Sequence, residues 1–591
     1  MSALMLSELK NGRFDMDRKV QKIAGSALAL IMTALLVSVF LPAQVFGQAQ
    51  DCANNIFSLR SDTDTKADYG DDFNLTNASY TTQIEDFSVL AKGIPVKFER
   101  HYNSRCEYLG VLGKRWIHSF EMKIERTNSG AFVTMQDGSV EQYVWDGRSQ
   151  NNIMTFVPGP MKGFVGELRY YNNIDGNYEK RNTWVLKYRN KMSYYFAVRR
   201  DVYSLEKIQD RNGNEIRMIY DSNNVLSSVG VVIANHYDVQ TVLSFEYYPE
   251  PDANTPAEQR TWGGLLSSAK LYQNDGTTVA REISYRYKED ENFDPQVLSE
   301  VRYPKYTANI DTNDKAVYLY SNDTGRKLNH YEDVRAPKGY TKMDIIYNNT
   351  GLGKVSAIKA PHGTGGTMIT VGYISNWQIY SRTYTEARGY STIVTTDDNY
   401  NVTSETDALG NVTSYGYDSK LNTIAVTNAG GYVTSYSYDD LSNTTSVTNA
   451  MGDVTNYEYE YQGDADYGQV FAYLKKTIDP TGTGTERITT QNFYETGTGN
   501  LTMTRDALGH ETRYAYNSYG QIVTVTDALG YKTVYSYVES GNAQRNLFSV
   551  RKQVSGSTND TLTDSNSTYV EYAYDELNRV VTTKELVETG K

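Results

Sequence analysis

The chain has 591 residues and a formal net charge of −13, with no Lys/Arg-rich block in its body. That balance lacks the clustered positive footprint of a nucleic-acid binder, and 12 Pro are too few for a proline-rich disordered chain. The length suits roughly three or four domains or one long repeat array. Tyrosine stands out, with 51 Tyr against 17 Phe and 5 Trp. A large ring with a polar tip suits half-buried strands.

Lys10, Arg13, Arg18, Lys19 and Lys22 precede an apolar run from Ile23 to Leu41, followed by Pro42 and the small residues Gly47 and Ala49. Residues 1–49 read as a signal peptide or signal anchor. The run is about as long as the shortest membrane span, so cleavage and retention are both open. The expected location is secreted or cell surface, with membrane contact only through residues 23–41 if they are retained. Residues 50–82, rich in Asp, Asn, Thr and Ser, read as a linker. Cys52 and Cys106 are the two cysteines. In an exported protein they are a candidate disulfide, with two unpaired thiols as the alternative.

Residues 83–145 read as a β domain. Ile94, Val96, Phe98, Arg100 and Tyr102 share one parity, and Trp116, His118, Phe120, Met122 and Ile124 share another strand's buried parity. Arg100 on the apolar parity demands an ionic partner if buried. His118 reads as a satisfied core histidine rather than a catalytic one, and Trp116 as a core anchor. Asp137-Gly138 suits a two-residue hairpin turn. Residues 146–385 continue as degenerate hairpin repeats, with Tyr-ended strands at Tyr247, Tyr287, Tyr320 and Tyr347.

Residues 386–460 hold a regular repeat. Gly389, Gly410, Gly431 and Gly452 are spaced 21 residues apart. Asp407-Ala-Leu-Gly410 precedes Tyr415 and Tyr417, and the pattern returns at Tyr436 and Tyr438. After an irregular insertion at 461–500, units in 501–591 restart at Asp506 to Gly509 and at Asp527 to Gly530. Each unit reads as two strands and two turns. Asp accepts backbone N–H bonds at the first turn position, and Gly takes the exit geometry. A lone hairpin is marginal, so stacking is expected to bury each Tyr/Ile/Val face against the next unit, at about 10 Å per repeat. Thr and Asn side chains are the expected partners of the Tyr hydroxyls. The fold class is all-β: stacked hairpins in a curled, spiralling sheet or partial shell, preceded by a β-rich N-terminal domain.

These Asp-Ala-Leu-Gly…Tyr-x-Tyr-Asp units resemble the YD repeats of the RHS family. The segments Asp86-Phe-Ser…Phe98-Glu-Arg-His-Tyr-Asn-Ser104 and Leu112-Gly-Lys-Arg-Trp116 resemble the domain that opens many bacterial RHS proteins, and Asp210-Arg-Asn-Gly213-Asn resembles the family's early repeats. The resemblance covers roughly 85–591 and implies a shell of spiralling sheet whose larger relatives enclose a C-terminal toxin. Partners it implies are a toxin domain or a separately encoded remainder of the shell, or a surface glycan for the adhesion proteins built from similar repeats. The Asp-Pro-x-x-Gly-Arg-like closing motif is missing and the last unit runs almost to Lys591. Autoproteolysis and a toxin are therefore not assigned, and a fragment, split product or shortened paralogue is expected.

Chemistry is sparse. No His-Glu-x-x-His, Cys-x-x-Cys, phosphate-loop or Gly-x-Ser-x-Gly motif occurs, so no enzyme, cofactor or metal is expected. Asp407, Asp506 and Asp527 repeat equivalently, whereas glycoside hydrolysis needs two unequal carboxylates facing one bond. They read as turn formers.

Overall fold

The computed structural model describes residues 80–586, except 92–93, 105, 107, 151, 160–165, 173–181, 189–190, 200–201, 235–237, 252–261, 289–296, 304–314, 321–327, 334–341, 348–354, 360–366, 377–378, 387–388, 398–400, 464–468, 481–485, 540–543, 555–561, 564–565 and 576–577. The apolar run 23–41, the linker to Ser79 and Cys52 lie outside the described residues; Cys106 is buried.

The described chain is all-β, and every strand pair in it is antiparallel. A three-stranded sheet comes first: Thr81–Ala91 pairs with Ile94–Asn103, which pairs with Trp116–His118. From Lys123–Arg126 to Val580–Leu586 the chain then forms one strip, in which each strand pairs with the next in sequence. The strip also meets its own beginning. Strand Val202–Gln209 pairs through Tyr203 and Ser204 with Ile124 and Lys123, then through Lys207 to Gln209 with the following strand. One edge therefore serves the strip's start and its continuation, and the sheet closes into a barrel.

The sequence parity at 116–124 holds for burial but not for strand continuity. Trp116, His118, Phe120, Met122 and Ile124 are all buried, yet the chain leaves the small sheet after His118 and enters the strip at Lys123. Glu121 makes the change of sheet: its carboxylate accepts the backbone N–H groups of His118 and Val111, both at 3.0 Å. The Asp137-Gly138 turn is also longer than two residues. Met135 N donates to Ser139 O, Gly138 takes φ 78°, and the Asp137 carboxylate accepts the Ser139 N–H and hydroxyl. The stretch 461–500, irregular in sequence, continues the sheet with longer strands. Val454–Gly463, Gln469–Pro480 and Glu486–Tyr494 pair in order, with bulges absorbing the extra residues.

The small sheet shares one hydrophobic core with the early strip. Phe98, Tyr102 and Trp116 pack with Phe245, Leu266 and Tyr318. At its centre Arg100 is 0% exposed. Its guanidinium donates from Nη2 to Asp86 Oδ1 at 2.9 Å, from Nη1 to the Tyr318 hydroxyl at 3.0 Å and from Nη2 to the Tyr303 hydroxyl at 3.2 Å. Tyr285 donates to the same Asp86 carboxylate at 2.9 Å. Trp116 Nε1 donates to the Tyr320 hydroxyl, and the Tyr102 hydroxyl accepts the Leu328 N–H. Strip tyrosines drawn from residues 285–320 thus converge on one buried ion pair. Replacing Arg100 with Met leaves Asp86 buried without its charge partner, so the expected loss is about 3–5 kcal/mol of stability. Urea unfolding measures it; a loss below about 1 kcal/mol would show that the pair does not hold the small sheet.

Candidate functional site

The perturbed titratable groups near the small sheet are enclosed in the core. Burial pushes the Glu121 carboxyl up to about 7, against the bonds from Val111 and His118 that favour its charged form. Burial lowers His118 to about 3, with a smaller contribution from His101. His118 lies flat against Phe245, ring centroids 5.8 Å apart, and its Nδ1 accepts the Phe120 N–H. Both groups are satisfied by backbone and rings. Their surroundings are those of packing residues.

The repeat positions assemble a wall. In the first turn of a unit, Asp407 Oδ1 accepts the N–H groups of Leu409 and Asn411, Oδ2 accepts the Asn411 side-chain amide at 2.8 Å, and Gly410 closes the turn at φ 84°. These bonds, the Asn411 side chain first, hold the exposed Asp407 carboxyl below its usual range. Asp506 makes the same turn onto His510 and Asp527 onto Tyr531, with Gly509 and Gly530 in the left-handed region; Gly431 and Gly452 follow Asn428 and Asn449 in that geometry. The second turn repeats the device at Asp418 and Asn422, where Leu421, not Gly, carries φ 62°. The carboxylates are spread singly along the sheet and spent on turns.

The tyrosines close the unit. In the regular units the strand bulges immediately before the second Tyr of the pair, as at Gly416/Tyr417, Ser437/Tyr438 and Ala515/Tyr516. The Tyr417 hydroxyl donates to Val402 O at 2.8 Å, Tyr438 to Thr423 O at 2.7 Å, Tyr459 to Thr444 O at 2.9 Å, Tyr516 to Leu501 O and Tyr537 to Ile522 O at 2.8 Å. In each case the acceptor is 15 residues back, at the start of the preceding strand, just beyond the last ladder bond between the two strands. The degenerate repeats make the same kind of bond at other spacings or positions, with Tyr220 on Leu205 O inside its strand, Tyr287 on Leu266 O 21 residues back and Tyr347 on Leu328 O 19 residues back. The partner is a backbone carbonyl rather than the expected Thr or Asn side chain. Tyr415 and Tyr436, the first members of each pair, make no such bond among the described residues. Burial pushes the Tyr417 hydroxyl up to about 12, so it stays a donor at neutral pH.

Packing differs along the strip. Among described residues beyond Val394, Ile478 is the one buried hydrophobic side chain. Tyr415, Tyr417, Tyr436 and Tyr438 lie on strands that are half-exposed. Among the described residues these stacked hairpins leave both faces of the sheet partly exposed, not in the buried interface expected from the pattern.

The strip lies on itself, coil over coil. Its turns alternate between two long edges. One edge carries turns 188–192, 210–214 and 273–278, then 407–411, 449–453, 506–510 and 527–531; the other carries 221–225, 418–422, 495–500, 517–521, 538–546 and 575–579. The first edge of the early coil meets the second edge of the late coil. Lys191 Nζ donates to Gln462 Oε1 at 3.2 Å, Arg211 Nη1 to Gly499 O at 3.3 Å and Asn214 Nδ2 to Tyr519 O at 3.1 Å. Asn274 and Asn578, 304 residues apart, exchange side-chain amide bonds of 2.6 and 2.8 Å. The Arg545 guanidinium covers the Tyr519 ring at 3.7 Å. Along this joint a cleft of about 420 Å³ opens between Arg211 and Asn212 on one coil and Glu495, Thr498, Tyr514 and Asn517 on the other. Sequence reasoning missed the joint, because single polar residues some 300 positions apart leave no periodic signal.

Residues 417–450 and 496–532 match the family model of the RHS repeat. The chain carries RHS repeats. Residues 71–143 of this RHS-repeat chain also match a domain of unknown function, DUF6531. No curated protein matches the chain. Among solved structures it is similar to the crystal structure of TcdB2-TccC3-TEV, at 10% identity over 85% of this chain and 35% of that one, with a TM-score of 0.31. It is similar too to the Photorhabdus luminescens Tc holotoxin pore, at 11% identity over 87% of this chain and 29% of that one, with a TM-score of 0.29. The RHS-repeat chain spans about a third of the length of those chains.

Tyr417→Phe removes the hydroxyl and keeps the ring. Its expected cost is about 0.5–1.5 kcal/mol, one hydrogen bond, while Tyr415→Phe costs less than half of that. Chemical denaturation of the two variants side by side measures the difference; equal costs would remove the carbonyl bond from the account of the repeat.

Proposed function

We propose that this chain is the non-enzymatic wall of an exported RHS-type shell, of the kind that encloses a toxin partner. The observation that carries the reading is the single-layer sheet of residues 397–586, joined turn-to-turn to an earlier coil. A sheet with no second layer on either face has little stability of its own. Here each hairpin leans on its neighbours and each coil on the next, which is how a thin wall encloses volume. The basic-flanked apolar run 23–41 supports export, and the RHS repeats support the shell class. The toxin or remaining shell component would be a separate polypeptide or a domain not contained in residues 80–586.

A second reading, a glycan-directed surface protein, is favoured by the joint cleft. Its Tyr514 ring stands beside Arg211, Glu495, Thr498 and Asn517, a mixture of π-face and hydrogen-bonding groups that suits a saccharide.

Cryo-electron microscopy of the full-length chain tests the first reading. The expected map shows the 397–586 strip as one sheet thick, bordering a solvent-filled space. A second layer of protein density packed on its Tyr-bearing face would overturn the shell and leave a conventional sandwich.

A further inference from the structure

The edge of the strip that is covered in the early coil is exposed, at its described turn tips, in the late one. At turn 210–214 the third residue, Asn212, lies against Gly520 of the next coil so closely that a Cβ on that glycine has no room. The same third position in the regular repeats is Leu409, Met451, Leu508 and Leu529, which are 86, 85, 81 and 81% exposed. Single exposed apolar side chains are ordinary, whereas a row of them at one repeat position is not. Two strands per repeat set them about 10 Å apart within each run of repeats.

The row is kept where its residue is missing. In the unit Asn428-Ala-Gly-Gly431 the third position is Gly430, and the ring of Tyr432 lies over it, 2.9 Å from where a Cβ would stand. Tyr432 is 64% exposed, and Tyr390 occupies the same place after Gly389 at 56%. Turn formation needs none of these side chains. Asp407 and Gly410 close the turn by themselves, and the side chain between them points away from every described neighbour.

We propose that this row is a self-association surface, on which a second copy of the chain docks with its own identical row. The polar joint inside the chain pairs unlike edges through Asn, Gly and Arg. An apolar row is a poor match for that polar edge and a good match for itself, with the same spacing and the same side chains on both sides. A twofold contact of this kind closes as a dimer and does not propagate. Six side chains with about 100–150 Å² of open surface each give roughly 600–900 Å² per copy, the scale of a standard stable interface. Asp407, Asp506 and Asp527 from both copies come near one another, so salt is expected to strengthen the dimer by screening them. The inference stands on the edge geometry and requires no cargo.

Sedimentation equilibrium of the full-length chain across a range of protein and salt concentrations tests it, beside the double variant Leu508→Glu/Leu529→Glu. The expected result is a monomer–dimer equilibrium that tightens with salt and is weakened by at least about tenfold in the variant. A wild-type chain that stays monomeric, or association that is equally strong in the variant, overturns the proposal, the latter by assigning it to another surface such as residues 23–41. Both leucines are more than four-fifths exposed, so the variant's circular dichroism is expected to match wild type. Loss of the β spectrum would overturn the assignment of these residues to bare turn tips. The shell reading, which rests on the single-layer wall, survives a monomeric result.

Discussion

A tyrosine hydroxyl bonded to the carbonyl at the start of the preceding strand is the contact on which the rest of the structure depends. A short antiparallel strand of five or six residues forms few ladder bonds, and a half-exposed face adds little hydrophobic stabilisation. The bulge before Tyr417 swings its ring across the neighbouring strand. One side chain then supplies both the packing and the bond that the ladder lacks at that end. Repeated from Tyr220 to Tyr574, the bond fixes the register of each hairpin on the one before. Because the acceptor is a main-chain oxygen, the facing residue is free to vary, and Leu, Val, Thr and Ile all serve.

The two halves of the strip solve the stability problem differently. The early strip wraps the small sheet and obtains a conventional core centred on Arg100 and Asp86. The late strip has no such core among its described residues and relies on Tyr bonds, side-chain-capped turns and the joint to the coil below. The arrangement resembles a solenoid, in which stability is the sum of each unit and its interfaces. The buried ion pair acts as a specificity device: five polar groups, four on separate strands and Tyr303 just past the end of another, meet at one geometry, so the small sheet seats in one register.

Much of the fold was legible in the sequence because turn chemistry is local. Gly410, Gly431 and Gly452 mark left-handed positions, Asp407 marks the cap, and the spacing of 21 residues gives two strands and two turns. Arg100 on an apolar parity pointed to a buried pair, although nothing in the sequence named Asp86 and the three tyrosines around it. Features that depend on distant backbone were not legible. The Tyr acceptor has no side-chain signature, the change of sheet after His118 depends on where Glu121 finds N–H groups, and the joint of Asn274 with Asn578 spans 304 residues. The half-exposed state of the repeat tyrosines escaped the pattern as well, since alternation reports which face is apolar and not whether a second layer covers it.

The central claim is that one continuous strip lies over its own earlier coil. Cysteines placed at Asn274 and Asn578 test it most directly, with bismaleimide cross-linking of the folded chain followed by peptide mapping. The account predicts an intramolecular link between the two positions, lost when the chain is unfolded first. Folded protein in which both cysteines are labelled separately and never joined would contradict it.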